Sequence, residues 1–256
     1  MKALILSAGQ GTRLLPLTAE QPKCALPLCG RTLLEWQIDA LRHNGVDEIV
    51  VVAGYRAEAV RRLLDHRYGK NAVAMIHNPF FEVADNLASC WIAREALKGD
   101  LLLINGDTLF EPGLVDRLLN PSPYPIVLAR DHKPHYDDDD MKLILAGDRL
   151  LAIGKQLPID QVNGESIGMI RFFPEGARLF RETIERLMFE PASLQQWYLS
   201  VIHEIATRTA QVGTRSIHGC RWVEVDYPLD LKHAEAMVEN WDWHRTAHSM
   251  KRAVTR

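Results

Sequence analysis

Ala3-Leu4-Ile5-Leu6-Ser7-Ala8-Gly9-Gln10-Gly11-Thr12-Arg13 joins a short apolar run to a glycine-bearing loop that ends in a cation. The run is too short for most helices and is closed by turn formers, so it reads as a buried strand followed by a loop. Downstream, Thr32 and Glu35 form a capping-box pattern, Leu34, Ile38 and Leu41 share a helical stripe, and Gly45 stops the helix. A strand over Glu48 to Ala53, a helix over Ala57 to Tyr68 and a strand near Val73 to His77 continue the alternation. A helix over Asn86 to Leu97 then leads to the strand Leu101 to Ile104. Strands alternating with helices predict right-handed crossovers and a Rossmann-like α/β fold: a doubly wound, mostly parallel mixed sheet flanked by helices.

From Ile126 the rhythm changes. Strands are expected at Ile126 to Ala129, Met141 to Leu145, Leu150 to Ile153, Ser166 to Phe173 and Arg221 to Val225. Helices are expected over Glu175 to Phe189, over Leu194 to Thr207 and after Pro228. One domain over 1–240 is predicted, in two halves, 1–125 and 126–240; 241–256 is a tail or terminal helix. At 256 residues, 47% hydrophobic and 25% charged, the chain can bury a full core.

A formal net charge of −3 supplies no basic surface for a polyanion, so nucleic acid and anionic membrane are not expected partners. Cys24, Cys29, Cys90 and Cys220 show neither C-x-x-C pairing nor zinc-finger spacing and read as reduced thiols in a cytoplasm. Ala3 to Leu6 is too short for a signal peptide, and no run reaches the ~18 apolar residues of a membrane span. Small-molecule substrates are the expected partners, and self-association as a homodimer is left open.

The chemistry concentrates in Ala8-Gly9-Gln10-Gly11-Thr12-Arg13-Leu14-Leu15-Pro16-Leu17-Thr18 with Pro22-Lys23. Glycines let backbone N–H groups face phosphate oxygens, and Arg13 and Lys23 can neutralise the same triphosphate. A Rossmann dinucleotide loop wants a third glycine where Leu14 stands, and it leaves Arg13 and Lys23 unexplained. Asp107, after Asn105-Gly106, ends an apolar strand at the edge where α/β sheets bind ligands.

This pattern resembles the G-x-G-T/S-R-x-x-P-x-T…P-K signature of the nucleotidyltransferases that make NDP-sugars and CDP-alcohols. The resemblance runs over Met1 to Ala236 and implies the nucleotide-diphospho-sugar transferase-like fold. It also implies nucleotide contacts at Ala8, Gly9, Gly11, Thr12, Arg13 and Lys23, and Mg²⁺ on Asp107 and on a late-strand acid. Asp226 is chosen for that acid over Glu224, which shares its strand face in Val223-Glu224-Val225-Asp226. Lys155 matches the family's acceptor-phosphate lysine, making Arg13, Lys23 and Lys155 the expected catalytic residues. Lys142, Glu165 and Gly168 are the further acceptor-site candidates.

Glu82 to Trp91 lacks the glycine-rich stretch common in sugar-phosphate uridylyl- and thymidylyltransferases and is similar to the segment of phosphocholine cytidylyltransferases. Asn86 and Ser89 can read a pyrimidine edge, although Asn86 is equally a helix N-cap candidate. The resemblance therefore implies transfer of CMP from CTP to a phosphorylated or phosphonate acceptor such as phosphocholine. A sugar 1-phosphate uridylyl- or thymidylyltransferase is the alternative within the family. A metal-dependent glycosyltransferase and a non-catalytic nucleotide sensor are the rivals outside it. The run Asp137 to Asp140 reads either as a solvated loop or as a source of one acid for a cationic head group. Tyr136, Trp197, Trp222 and Tyr227 are candidate aromatic walls beside it.

Overall fold

Why the first strands read as unbroken apolar runs is visible in the computed structural model, which describes residues 1–241. Consecutive side chains of a strand face opposite sides of its sheet, and here both sides are covered. In β1 (Lys2–Ser7), Leu4 joins the core on one face, while Ala3 and Ile5 join the core on the other. The hairpin β2 (Pro27–Leu28) and β3 (Arg31–Thr32) then precedes α1 (Leu33–His43). Thr32 Oγ1 accepts from Glu35 N–H at 3.2 Å and Glu35 Oε2 accepts from Thr32 N–H at 2.6 Å, so the expected capping box is formed. The chain continues through β4 (Glu48–Ala53), α2 (Ala57–Tyr68), β5 (Ala74–His77), α3 (Asn86–Ile92) and β6 (Leu101–Asn105).

The second half begins with β7 (Thr108–Phe110) and α4 (Pro112–Leu119), followed by β8 (Ile126–Asp131), β9 (Lys142–Ala146), β10 (Arg149–Gly154) and β11 (Gly164–Phe172). It ends with α5 (Pro174–Leu187), α6 (Tyr198–Arg208), β12 (Val212–Ser216), β13 (Trp222–Glu224) and α7 (Pro228–Glu239). A nine-stranded sheet runs β5-β4-β1-β6-β11-β8-β12-β10-β9. It is parallel from β5 to β6, and β8 pairs in parallel with β12, while β11 runs antiparallel to its neighbours β6 and β8. The parallel character thus belongs chiefly to the first half.

Three expectations change in detail. The helix expected to reach Leu97 ends at Ile92 and continues as a 3-10 turn over Arg94–Ala96. The one expected over Leu194 to Thr207 splits into a 3-10 turn, Pro191–Gln195, and α6. The strand expected to reach Val225 stops at Glu224 and pairs with β7 outside the main sheet. Of 241–256, only Trp241 lies inside the described residues; it is buried, with its ring 5.6 Å from that of Trp36.

Topology places the site. From β1 the chain moves outward to β4 and β5, then returns to lay β6 on the other side of β1. A crevice opens beyond the carboxyl ends of two such strands, here Ser7 and Asn105. A third apolar cluster joins Leu14 of the loop, Leu28, Trp36, Leu109, Val225, Val238 and Trp241. That cluster anchors the loop and the segment leading to Asp226 in one place.

Leu103 of β6 is fully buried, between parallel β1 and antiparallel β11. Leu103→Ala is expected to cost about 2–5 kcal/mol, read as a lower urea midpoint at unchanged m-value.

Candidate active site

The loop after β1 is shaped by what its glycines admit. Gly11 has φ +77°, and a Cβ there would lie 2.8 Å from Lys23 Cβ, so the lysine crosses where a side chain would otherwise stand. Thr18 Oγ1 donates to Gly11 O at 2.8 Å and closes the loop. Gly9 is different: a Cβ there would meet nothing within 4 Å, so its backbone faces open space. Ala8 is buried beside it, with its carbonyl accepting from Tyr55 N–H at 2.9 Å. Thr12 and Arg13 stand exposed on the 3-10 turn Thr12–Leu14, which buried Leu14 pins to the core. Gly106 N–H donates to Leu6 O at 2.9 Å, and a Cβ at Gly106 would lie 2.2 Å from Ser7 Oγ. The two strand ends therefore meet without a side chain between them.

Across this mouth, Lys23 Nζ donates to Asp107 Oδ2 at 3.0 Å and to Asp226 Oδ1 at 2.6 Å. Burial works against the Lys23 charge, but Asp107 and Asp226 outweigh it and raise the ammonium above its ordinary range. Asp107 Oδ1 is buried with no hydrogen-bond partner. Glu224 approaches the same acids: desolvation by the surrounding walls, then repulsion from Asp107 and Asp226, raises its carboxyl, though its exposed side chain limits the effect. Among the described residues no group of three or more His, Cys, Asp or Glu is arranged to hold a metal ion. Two carboxylates, one with an unpartnered oxygen, suit a hard cation that takes its remaining oxygens from phosphate and water.

A cavity of about 240 Å³ opens beside the loop, lined among others by Gly9, Asn78, Asn86, Ser89, Asn105 and Asp107. A smaller one of about 100 Å³ adjoins it over Gly11, Lys23 and Asp107. The N-cap of α3 is Asp85, not Asn86. Asn86 Oδ1 instead accepts from Tyr198 N–H at 2.8 Å, so its carbonyl is committed within the protein. Ser89 Oγ accepts from Asn78 Nδ2 at 3.0 Å. Asn78 and Tyr198 were not legible as site residues, because neither lies in the loop motif and their contacts span 11 and 112 residues.

On the far side, Asp139 links the two remaining cations. Its Oδ1 accepts from Lys155 Nζ at 3.0 Å and its Oδ2 from Arg13 Nη1 at 3.4 Å. Lys155, then Arg13, holds the Asp139 carboxyl below its usual range. Arg13 also reaches Asp226 and the Tyr227 hydroxyl, each at 3.4 Å. Burial opposes its charge and Asp226 leads the groups that raise it. The faces of Tyr227 and Trp197 receive the protein's own cations, Arg13 at 5.3 Å and Lys155 at 4.8 Å from the ring centroids.

Two acceptor-site expectations are corrected. Lys142 is buried, with its ammonium donating to the carbonyls of Asp137 and Lys155, so it shapes the loop and is not presented to a phosphate. Gly168 does not face the pocket; with φ +73°, it makes room for the Asn105 amide, which would lie 2.3 Å from a Cβ there. Glu165 is buried and pairs with Lys133 at 3.2 Å; burial raises its carboxyl while Lys133 opposes the shift.

A nucleotide-binding α/β fold with a glycine loop, a bridging lysine and two facing carboxylates defines an NTP-handling protein. Residues 3–161 match the MobA-like NTP transferase domain, and the chain belongs to that family. It is 28% identical over 254 residues to the CMP-5'-(3-aminopropyl)phosphonate synthase of Streptomyces rubellomurinus, covering 92% of this chain but only 38% of that protein. It is 25% identical over 258 residues to the CTP:phosphoglutamine cytidylyltransferase of Campylobacter jejuni, covering 91% and 98%. The solved inositol-1-phosphate CTP transferase from T. maritima shares the fold with a TM-score of 0.78 at 20% identity, over 93% and 94% of the two chains.

Gly11→Ala places a side chain in the left-handed region and against Lys23. It is expected to cost about 1–2 kcal/mol from the backbone alone. The thermal midpoint should fall, and the rise in midpoint that a nucleoside triphosphate gives wild type should shrink.

Proposed function

We propose that the chain transfers CMP from CTP to a phosphate or phosphonate oxygen of a small acceptor, releasing pyrophosphate. The observation that carries this reading is Lys23 set between Asp107 and Asp226, at 3.0 and 2.6 Å, beside the open backbone of Gly9. That arrangement suits a triphosphate whose α-phosphorus lies near the acids and whose β- and γ-phosphates lie against the loop. The choice of cytidine rests on Asn86 and Ser89 in the adjoining cavity and on relatives named as CTP-dependent enzymes.

In the proposed reaction an acceptor oxygen attacks the α-phosphorus in line. The new P–O bond forms as the bond to the bridging oxygen breaks, and that oxygen leaves on pyrophosphate. Lys23 and Arg13 hold the leaving group, and the backbone of Ala8, Gly9, Gly11 and Thr12 orients it. Lys155 exchanges Asp139 for the acceptor's phosphate. Catalysis is then positioning and charge stabilisation, with no covalent enzyme intermediate. Asp107 and Asp226 would hold Mg²⁺, whose contribution when bound is to withdraw charge from the phosphate oxygens. With that cation bound, Lys23 would be free to turn from the carboxylates toward the phosphates.

Within 1–240 we assign the nucleotide to 1–125 and the acceptor to 126–240, with Asp226 reaching back to the first half. We place the reaction in the cytoplasm, where CTP is available, as a step toward a cell-surface polysaccharide or phospholipid precursor. Among the described residues no helix is long and apolar enough to cross a membrane.

A pyrophosphate-release screen of the four NTPs, with Mg²⁺, against phosphocholine, phosphorylated amino acids, aminoalkylphosphonates, inositol phosphate and sugar 1-phosphates tests the reading. CTP should be preferred; preference for UTP or dTTP with a sugar phosphate would sink the cytidylyl assignment. Asp107→Asn is expected to lower kcat by about 10²-fold or more, scored against folded wild type.

A further inference from the structure

Residues Leu194 to Tyr198 lie between the two proposed substrate sites and touch both. On the nucleotide side, Leu194 O accepts from Asp85 N–H at 2.7 Å and Gln196 O accepts from Leu87 N–H at 3.3 Å. Gln195 Nε2 donates to Val83 O at 2.7 Å, and Tyr198 N–H donates to Asn86 Oδ1 at 2.8 Å. The segment is therefore hydrogen-bonded along the stretch proposed to read the base. Tyr198 also donates its hydroxyl to Asn105 Oδ1 at 3.0 Å, two residues before Asp107. Its ring is fully buried and lies edge-on to Phe180, with centroids 6.5 Å apart.

The preceding residue faces the other site. Trp197 is 41% exposed, and its ring centroid lies 4.8 Å from Lys155 Nζ. Lys155 has one carboxylate partner there, Asp139, which is itself exposed and would give way to an acceptor phosphate. Trp197 is then the contact that keeps the ammonium in place during the exchange. The indole that contacts Lys155 and the backbone N–H held by Asn86 thus belong to adjacent residues.

We propose that Trp197 and Tyr198 are a positioning pair that couples the nucleotide and acceptor sites. Filling the cavity fixes Asn86 and Asn105, Tyr198 carries that ordering across, and Trp197 sets Lys155 for the acceptor. The inference rests on the nucleotide occupying that cavity. Linkage requires reciprocity: whatever factor the nucleotide adds to acceptor affinity, the acceptor adds to nucleotide affinity.

The test reads tryptophan emission while CTP and Mg²⁺ are titrated without acceptor, with CTP binding measured in parallel by calorimetry. Wild type should bind CTP and change its emission. Trp197→Phe should bind CTP and lose most of that change, and Tyr198→Phe, which removes only the hydroxyl, should bind CTP and show a smaller change. In turnover with an acceptor found active in the screen, Trp197→Ala should raise acceptor KM several-fold more than it alters kcat, and Phe at that position should restore it. An emission change that is equal in wild type and Trp197→Phe would overturn the coupling while the functional reading stands. Absence of CTP binding to wild type by calorimetry would instead overturn the functional reading, and the coupling with it.

Discussion

The Lys23 ammonium held between Asp107 and Asp226 is the constraint that the rest of the site answers to. Gly11 exists as glycine so that this side chain can cross the loop. Gly106 lets the end of β6 press against the end of β1, which brings Asp107 within reach. Asp226 comes from far along the chain and is held in three ways: Val225 is buried in the third cluster, its N–H donates to Asp107 O at 3.0 Å, and Asp230 Oδ2 accepts from Asp226 N–H. Removing the lysine would leave two carboxylates facing each other with one oxygen already unpartnered. Leaving such a partly buried pair of like charges uncompensated is costly. On the proposed reading, the same cost would favour a cation beside the two acids if the lysine turned toward a phosphate.

The side of the mouth around Lys155 is built on a different balance, in which the protein's own charges pair. Asp137 Oδ1 accepts from the N–H groups of Asp139 and Asp140, and Asp140 pairs with Lys133, so two of the acids build their own loop. Lys142 braces that loop from below through the Asp137 carbonyl. What projects is Asp139, shared by Arg13 and Lys155. A run of four like charges is therefore neither a wholly solvated loop nor a continuous acidic surface. It is a scaffold that presents one carboxylate to two cations.

How much could be read from the sequence follows from the range of the interactions. Thr32, Glu35 and the Leu34, Ile38, Leu41 stripe are local signals, and α1 was legible from them. The fold class was legible for the same reason, since an apolar strand and its turn are contiguous; Lys23 and Asp107 were expected from the family signature and the strand end, and the structure brings them together at 3.0 Å. The helix α4 was missed although Pro112 at its first position is a recognised start signal. The strand β12, Val-Gly-Thr-Arg-Ser, was missed because its polar composition hides a strand held between β8 and β10. Lys142 and Gly168 were read correctly as positions with a purpose and wrongly as pocket surface. The direction of a side chain depends on partners such as Lys155 O and Asn105 that no spacing rule supplies. Tyr198 and Asn78 were invisible because their partners are set by tertiary packing.

The glycine loop and the base-reading segment carry different kinds of information, and the geometry explains the division. On the proposed reading, backbone N–H groups, Arg13 and Lys23 would address phosphate oxygens, which every nucleoside triphosphate presents alike. Discrimination between bases requires donors and acceptors held in fixed directions, because a buried group left unpaired by the wrong base is penalised more than a missing contact. On the proposed reading, Asn86 and Ser89 would meet that requirement through their own partners: Tyr198 N–H donates to the Asn86 carbonyl, and Asn78 donates to the Ser89 oxygen. With one lone pair on each oxygen engaged, we infer that a base would meet the Asn86 amide N–H groups and the Ser89 hydroxyl proton. Both are donors, which match the O2 and N3 acceptors on a cytosine edge. Uracil presents N–H at its N3 position, so one of those donors would face another donor. On the proposed reading, the preference for cytidine would depend on Tyr198, whose backbone N–H holds the Asn86 amide.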